Sequence, residues 1–125
     1  MWPLRIENPI FLQTIYGHYP DLSSVEITSA TMGRDGPIMH LSFISTVLPY
    51  RPPAKWGAFN AVSFGLEFLA VESVSLRKFQ SHGSSSIRMW DDAGKILLTC
   101  DGAVRLSLTS QSMRVGGMSG VMLRQ

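Results

Sequence analysis

Cysteine is nearly absent from this chain. Cys100 stands alone in 125 residues, so no internal disulfide can form and nothing in the composition requires an oxidising compartment. Its neighbours Ile96, Leu98 and Val104 predict an inert core thiol rather than a reactive one. Charge is scarce as well. Charged residues make up 16 % of the chain, against about 25 % in an average domain. With 45 % hydrophobic residues, that composition excludes disorder and leaves neutral surface for a large core or a partner. The net charge is only +2, and the tightest basic pair is Arg77-Lys78. Such a diffuse excess gives no nucleic-acid footprint. No window approaches the roughly 18 uninterrupted apolar residues of a membrane span. The start, Met1-Trp2-Pro3-Leu4-Arg5, lacks the basic and apolar regions of a signal peptide, so a cytoplasmic location is expected.

The residue types that carry catalysis are present but not arranged for it. His18, His40 and His82 have none of the close spacings that put two ligands on one metal, so no metal site and no cofactor is expected. Gly117-Met118-Ser119-Gly120 lacks the spacing of a nucleophile elbow. His82-Gly83-Ser84-Ser85-Ser86 reads as a flexible turn. Asp91 and Asp92 are adjacent, and adjacent strand or turn residues point apart, which argues against a general acid–base pair. Phosphate-cradling glycine patterns are missing. A non-catalytic protein is expected.

At 125 residues the chain has the size of a single domain, spanning 1–125, and can bury about two-thirds of its unfolded surface. Asn8 and Pro9 predict the cap and first residue of a helix over 9–16, with Ile10, Phe11, Leu12, Ile15 and Tyr16 as its apolar stripe and Gly17 as its stop. After Pro20 the hydrophobic period becomes two. Val25 to Met32 leads into the turn Gly33-Arg34-Asp35-Gly36-Pro37. Met39, Leu41 and Phe43 alternate with polar residues, as do Val62, Phe64, Leu66 and Phe68. Val74 and Leu76 continue the second pattern past a kink near Ala70. Ile87 and Met89, then Ile96, Leu98 and Cys100, then Val104, Leu106 and Leu108 follow, joined by turns at Asp91-Asp92-Ala93-Gly94 and Asp101-Gly102. The tail, with Gly116-Gly117 and Gly120, is read as a last bent strand. The expected fold is mostly β: an antiparallel meander of seven or eight strands, forming a sandwich or part-closed barrel, with one short N-terminal helix.

Between the second and third strands lies a long stiff loop, residues 48–57, where three prolines remove ladder donors. Tyr50, Arg51 and Lys55 combine an aromatic with long cations, the residue types of interface hot spots, while Trp56 reads as a plug at the end of the core. On the strand of Ile87 and Met89, the alternation turns Arg88 and Trp90 outward. Tyr50, Arg51, Lys55, Arg88 and Trp90 are therefore the candidate partner-binding residues, expected on one face.

The order of these features is similar to a known family. An N-terminal Trp, Asn8-Pro9 opening a helix that ends at Tyr16-Gly17, and Pro20-Asp21-Leu22 resemble the start of the Immunity protein 50 family of bacterial polymorphic toxin systems. The resemblance continues through Arg34-Asp35-Gly36-Pro37 and the Pro-rich approach to Trp56. It then passes into Val62-Ser63-Phe64-Gly65-Leu66-Glu67-Phe68-Leu69 and Val71-Glu72-Ser73-Val74, fades near residue 110, and does not reach the tail from Met113 onward. It implies a cytoplasmic, non-catalytic protein whose partner is a cognate protein toxin domain, with no nucleic acid and no membrane. Immunity proteins against nucleases are often acidic, and a pI near 9.0 argues against that mode. Two other readings stand beside it. One is a small-ligand-binding β domain, for which the many methionines would suit a pocket. The other is an enzyme with a dispersed site, which would need His40 or His82 beside Glu67 or Asp101. The residues do not specify an oligomeric state.

Overall fold

The computed structural model describes residues 16–17 and 20–123. Six strands form one antiparallel sheet: β1 (Glu26–Gly33), β2 (Ile38–Ser45), β3 (Ala61–Phe79), β4 (Ser85–Asp92), β5 (Lys95–Gly102) and β6 (Val104–Val121). Their spatial order is β1-β2-β3-β6-β5-β4. The one helical element with a defined span is a single 3-10 turn, Ala54–Trp56. The expected helix over 9–16 is not supported: residues 9–15 lie outside the described residues, and Tyr16 is its only described position.

The expected seven or eight strands become six because β3 and β6 each run through what the sequence pattern divides in two. At 19 residues, β3 would span about 60 Å if straight. A compact chain of this length is about 36 Å across. The long strands must therefore bend. Ala70 takes up φ 52°, and the register between β3 and β6 slips between Val71 and Ser73, with further shifts at Gly65/Leu66 and Leu76/Lys78. Each such bulge bends the strand and sharpens its twist. The kink expected near Ala70 is present, but the chain stays in the sheet there.

The bends divide the sheet into two halves. β2 pairs with β3 only from Val62 to Phe68, whereas β5 pairs with β6 only from Leu106 to Ser110. One half thus holds β1, β2 and the first part of β3; the other holds the first part of β6, β5 and β4. A single sheet replaces the expected sandwich, and it is not closed. Its edges touch at one corner. Val25 and Ser85 exchange backbone hydrogen bonds of 2.9 and 2.8 Å, and the Ile87 N–H donates to Leu22 C=O at 2.9 Å.

Strict alternation fills the space inside the bend. Leu41, Phe43, Phe64, Leu66, Phe68 and Met113 are fully buried, each worth about 1.5–3 kcal/mol of transfer free energy. Phe43 and Phe64 stack with ring centres 5.1 Å apart. Tyr16 packs at 5.8 Å from Phe64 and donates its hydroxyl to Val47 C=O at 2.8 Å. Burial pushes that phenol up, so it remains a donor at any physiological pH. Phe64 and Phe68 are core residues, as the alternation requires.

The turns follow their local chemistry. Ala93 and Gly94 both have positive φ, 51° and 80°, as a two-residue type I′ hairpin demands. Arg34 to Pro37 link Gly33 to its partner Ile38. The segment read as a flexible turn, His82 to Ser86, is only partly so, because Ser85 and Ser86 belong to β4. Ser85 is buried, and its Oγ accepts from the Val104 N–H at 3.0 Å. Beside it Gly102 has φ 134°, and a Cβ there would lie 2.5 Å from the Ser84 carbonyl oxygen. Gly102→Ala should therefore cost about 2–3 kcal/mol in urea unfolding. Gly117→Ala, which meets nothing within 4 Å, should change stability by less than about 0.5 kcal/mol.

Candidate functional site

β4 is an edge strand with one buried face. Ile87 and Met89 point into the core, so Arg88 and Trp90 point out. Arg88 stands opposite Thr99, which stands opposite Ser107, which stands opposite Ser75. The next row is Trp90, Leu97, Thr109 and Ser73. Four strands thus present a floor of mostly small, neutral side chains. Arg77, Arg88 and Arg105 rise around it, enclosing an open depression of about 410 Å³. A second one of about 260 Å³ adjoins it over Ser73, Leu97 and Thr109.

The depression is basic. Arg105 donates from Nε to Asp101 Oδ1 at 3.1 Å. Arg77 and Arg88 have no carboxylate partner among the described residues, so three arginines face one acid. Trp90 borders this surface and is 36 % exposed. The sequence signals Arg88 and Trp90 through one strand's alternation. Arg77, Arg105 and Asp101 were missed because they come from three strands, and only register brings them together.

The loop residues form a separate patch. Tyr50 is 77 % exposed, and the Arg51 guanidinium lies 5.7 Å from its ring centre, a cation–π contact that holds both outward. Lys55 is exposed on the 3-10 turn. Trp56 turns inward and packs edge-on against Phe59 at 5.4 Å, close over Gly120. Asn60 ties the loop to the end of the chain: Nδ2 donates to Leu123 C=O at 3.1 Å and Oδ1 accepts from Leu123 N–H at 2.7 Å. This loop enters β3 at Ala61, whereas the row of Trp90 crosses β3 at Ser73. The two groups of candidate residues therefore belong to different halves of the sheet.

On the outer face of the first half, Thr31, His40, Glu67 and Arg114 form a cross-strand row. Arg114 grips Glu67 through Nε at 3.1 Å and Nη2 at 3.3 Å. His40 Nδ1 lies 3.6 Å from the same carboxylate, beyond hydrogen-bond distance. Gly116 makes room for this pair, since a Cβ there would lie 2.7 Å from Glu67 Oε1. The Arg114 hydrogen bond holds the Glu67 carboxyl below its ordinary range. A carboxylate held in this way is a poor proton acceptor and acts as a structural clamp between β3 and β6. His82 is exposed beyond β3, and among the described residues no three His, Cys, Asp or Glu side chains converge as metal ligands. Cys100 is buried, which pushes its thiol up to about 12.

A family model described as Immunity protein 50 matches residues 8–120. The chain belongs to that family. No curated protein and no solved structure matches it. The match extends past residue 110, where the motif resemblance fades, and takes in most of β6. Membership points to a non-catalytic role and, in general, to a protein toxin as partner. Among the described residues no helix is long and apolar enough to cross a membrane.

Two measurements check the electrostatics. Because Glu67 has a lower pKa folded than unfolded, its pairing stabilises the fold above about pH 4 and is lost as pH falls through the folded value. Glu67→Gln should therefore be less stable than the parent at neutral pH, with the gap closing on acidification in pH-dependent urea melts. For Cys100, a thiol reagent at pH 8 should react no faster than the protein unfolds, and at the full rate of a free thiol in denaturant.

Proposed function

We propose that this protein is an antidote: it binds the toxin domain of its own polymorphic toxin system and blocks it without chemistry, in the bacterial cytoplasm. Membership of the Immunity protein 50 family over residues 8–120 is the observation that carries this reading. The character of the surface supports it. The interior of the bend is filled by Phe43, Phe64, Phe68 and Met113, so the chain offers neighbours its outer faces rather than an enclosed cavity.

The contact surface in this reading is the outer face of β4, with Arg88 and Trp90, joined by the loop residues Tyr50, Arg51 and Lys55. An exposed tryptophan beside arginines that have no carboxylate partner among the described residues has the composition of an interface hot spot. Tyr50 and Arg51 are already held together, so they lose little freedom on binding. Because the two patches lie in different halves of the sheet, a toxin touching both must wrap around one edge of the molecule. One touching only the basic depression would leave the loop free.

Co-expression with the toxin domain encoded beside its gene should rescue growth and yield a stable complex; failure of both sinks the reading. Trp90→Ala and Arg88→Ala should each weaken that complex by about 30-fold, equivalent to about 2 kcal/mol, while lowering stability by less than about 1 kcal/mol. Arg51→Ala should do the same only if the toxin spans both patches. Trp56→Ala should behave in the opposite way, lowering stability by about 2–3 kcal/mol with affinity preserved in the folded fraction. Calorimetric binding and thermal melts separate the two patterns.

A further inference from the structure

β3 outruns its neighbour on one side. β2 leaves it after Phe68, and the last bond on that side is the Val71 N–H to Pro37 C=O at 3.0 Å. From Glu72 to Phe79, β6 lies along one edge of β3 and, among the described residues, no strand lies along the other. Alternate residues of a strand direct their N–H and C=O to the same side, so about four residues hold unpaired backbone groups along this edge. Open edges in native proteins are usually kept short, bent or interrupted by proline, because they invite another strand. This one carries a bulge at Leu76/Lys78 but runs eight residues without proline. It also exposes apolar side chains: Val74 by 37 %, Leu76 by 55 % and Phe79 by 44 %.

The edge is complementary to itself. An antiparallel copy related by a two-fold axis at Ser75 places Ser75 against its own counterpart, Val74 against Leu76, and Glu72 against Lys78. Apolar residues then meet apolar ones, and acid meets base, on both sides of the axis. The faces agree as well. Val74 and Leu76 stand opposite the buried Leu108 and Leu106, on the inner face. Glu72 contacts exposed Lys95 at 2.7 Å, and Lys78 stands opposite exposed Arg105, both on the outer face. In the paired form Glu72 would sit between its own Lys95 and Lys78 of the second copy.

We infer that two copies of this chain join edge to edge through Glu72–Phe79 of β3, in antiparallel register about Ser75, forming one continuous sheet. The contact is isologous, so it closes at two copies and cannot propagate. It satisfies the open backbone groups and covers the apolar side chains in one step. It also adjoins the basic depression, placing those of both copies on one surface. The inference is independent of the antidote reading, because no toxin is needed for it to form.

Sedimentation equilibrium of the purified full chain, up to millimolar concentration, should show the mass rising to twice that of one chain. The double variant Val74→Lys with Leu76→Lys places lysine against lysine across the seam. It should dimerise at least about tenfold more weakly while keeping the parent circular dichroism, since both sites are exposed. Register is read by cysteine. Residues directly opposite have Cβ atoms about 5 Å apart, so Ser75→Cys should form an intermolecular disulfide on mild oxidation. Ser73→Cys, which faces Arg77 of the second copy, should not, and native Cys100 is buried and silent. A monomer at every concentration overturns the inference. So does a dimer indifferent to the paired lysines, or one in which Ser75→Cys fails to cross-link. If the double-lysine variant misfolds, the cysteine pair alone decides. A monomeric chain whose toxin binding is lost with the two lysines would assign the edge to a strand of the toxin instead.

Discussion

The ladder between β3 and β6 is the constraint on which the rest of the structure depends. It runs from Ala61 with Val121 at one end to Phe79 with Val104 at the other, longer than the compact molecule is wide. A straight ladder of that length would leave each half of the sheet with one bare apolar face. Bulges at Gly65/Leu66, Val71/Ser73 and Leu76/Lys78 bend the pair, so that Phe64 and Phe68 from one half share an interior with Leu98 and Leu108 from the other. The positive φ of Ala70 costs about 1 kcal/mol or more, and the burial that the bend makes possible exceeds this many times over. The corner bonds of Val25, Ser85 and Ile87 then hold the two ends of the sheet together.

The offset that makes the bend also decides what each surface can do. β2 attaches to the beginning of β3, and β5 to the beginning of β6, at opposite ends of the ladder. In the first half the outer face carries the Arg114–Glu67 clamp beside Gly65 and Gly117, which stand opposite each other. Close packing of side chains there is replaced by near-bare backbone. In the second half the same face carries Ser73, Ser75, Thr99, Ser107 and Thr109 under a rim of arginines. The unpaired length of β3 follows from the same arithmetic, because β2 is eight residues long and β3 is nineteen. Lengthening β2 would close that edge, but it would also drive the Arg34–Pro37 hairpin past the bend at Ala70, where the strands diverge.

Much of this was legible in the chain. Val62 to Phe68 alternate without exception, and each apolar member is buried as the period requires. The Asp91–Gly94 and Arg34–Pro37 turns were legible through Gly94 and Gly36, which adopt positive φ at no steric cost, although Ala93 at φ 51° does so against its own preference. Family resemblance and the absence of a catalytic constellation pointed the same way as the family match over 8–120. The strand count failed for a physical reason. Bulges break the period of two without breaking the ladder, so a pattern reader divides one strand into two at Ala70. It equally divides β6 near Ser110, before the glycine-rich stretch that forms its far end. That tail, read as a last bent strand, is instead the far end of β6 and the partner of the first half of β3, where glycine is needed for close approach to Glu67. The basic depression was illegible because its arginines are separated by tens of residues and meet only through register.

Charge shows most clearly what sequence averages hide. A net +2 spread over 125 residues predicts no field worth naming. In the fold, Glu67 is taken up by Arg114, Glu72 by Lys95 and Asp101 by Arg105. Those pairings consume acids in the sheet and leave Arg77 and Arg88 without a carboxylate partner among the described residues, over a neutral floor. The scarcity of charge sharpens this effect, because Asp101, already held by Arg105, is the one carboxylate lining the depression among the described residues. A protein surface that settles on this face gains by offering carboxylates or backbone carbonyls, whereas lysine or arginine would lose several kcal/mol to like-charge contact. In the proposed antidote reading the guanidiniums belong to this chain, so the complementary acids would have to come from the toxin, the reverse of an acidic decoy set over a basic nuclease cleft.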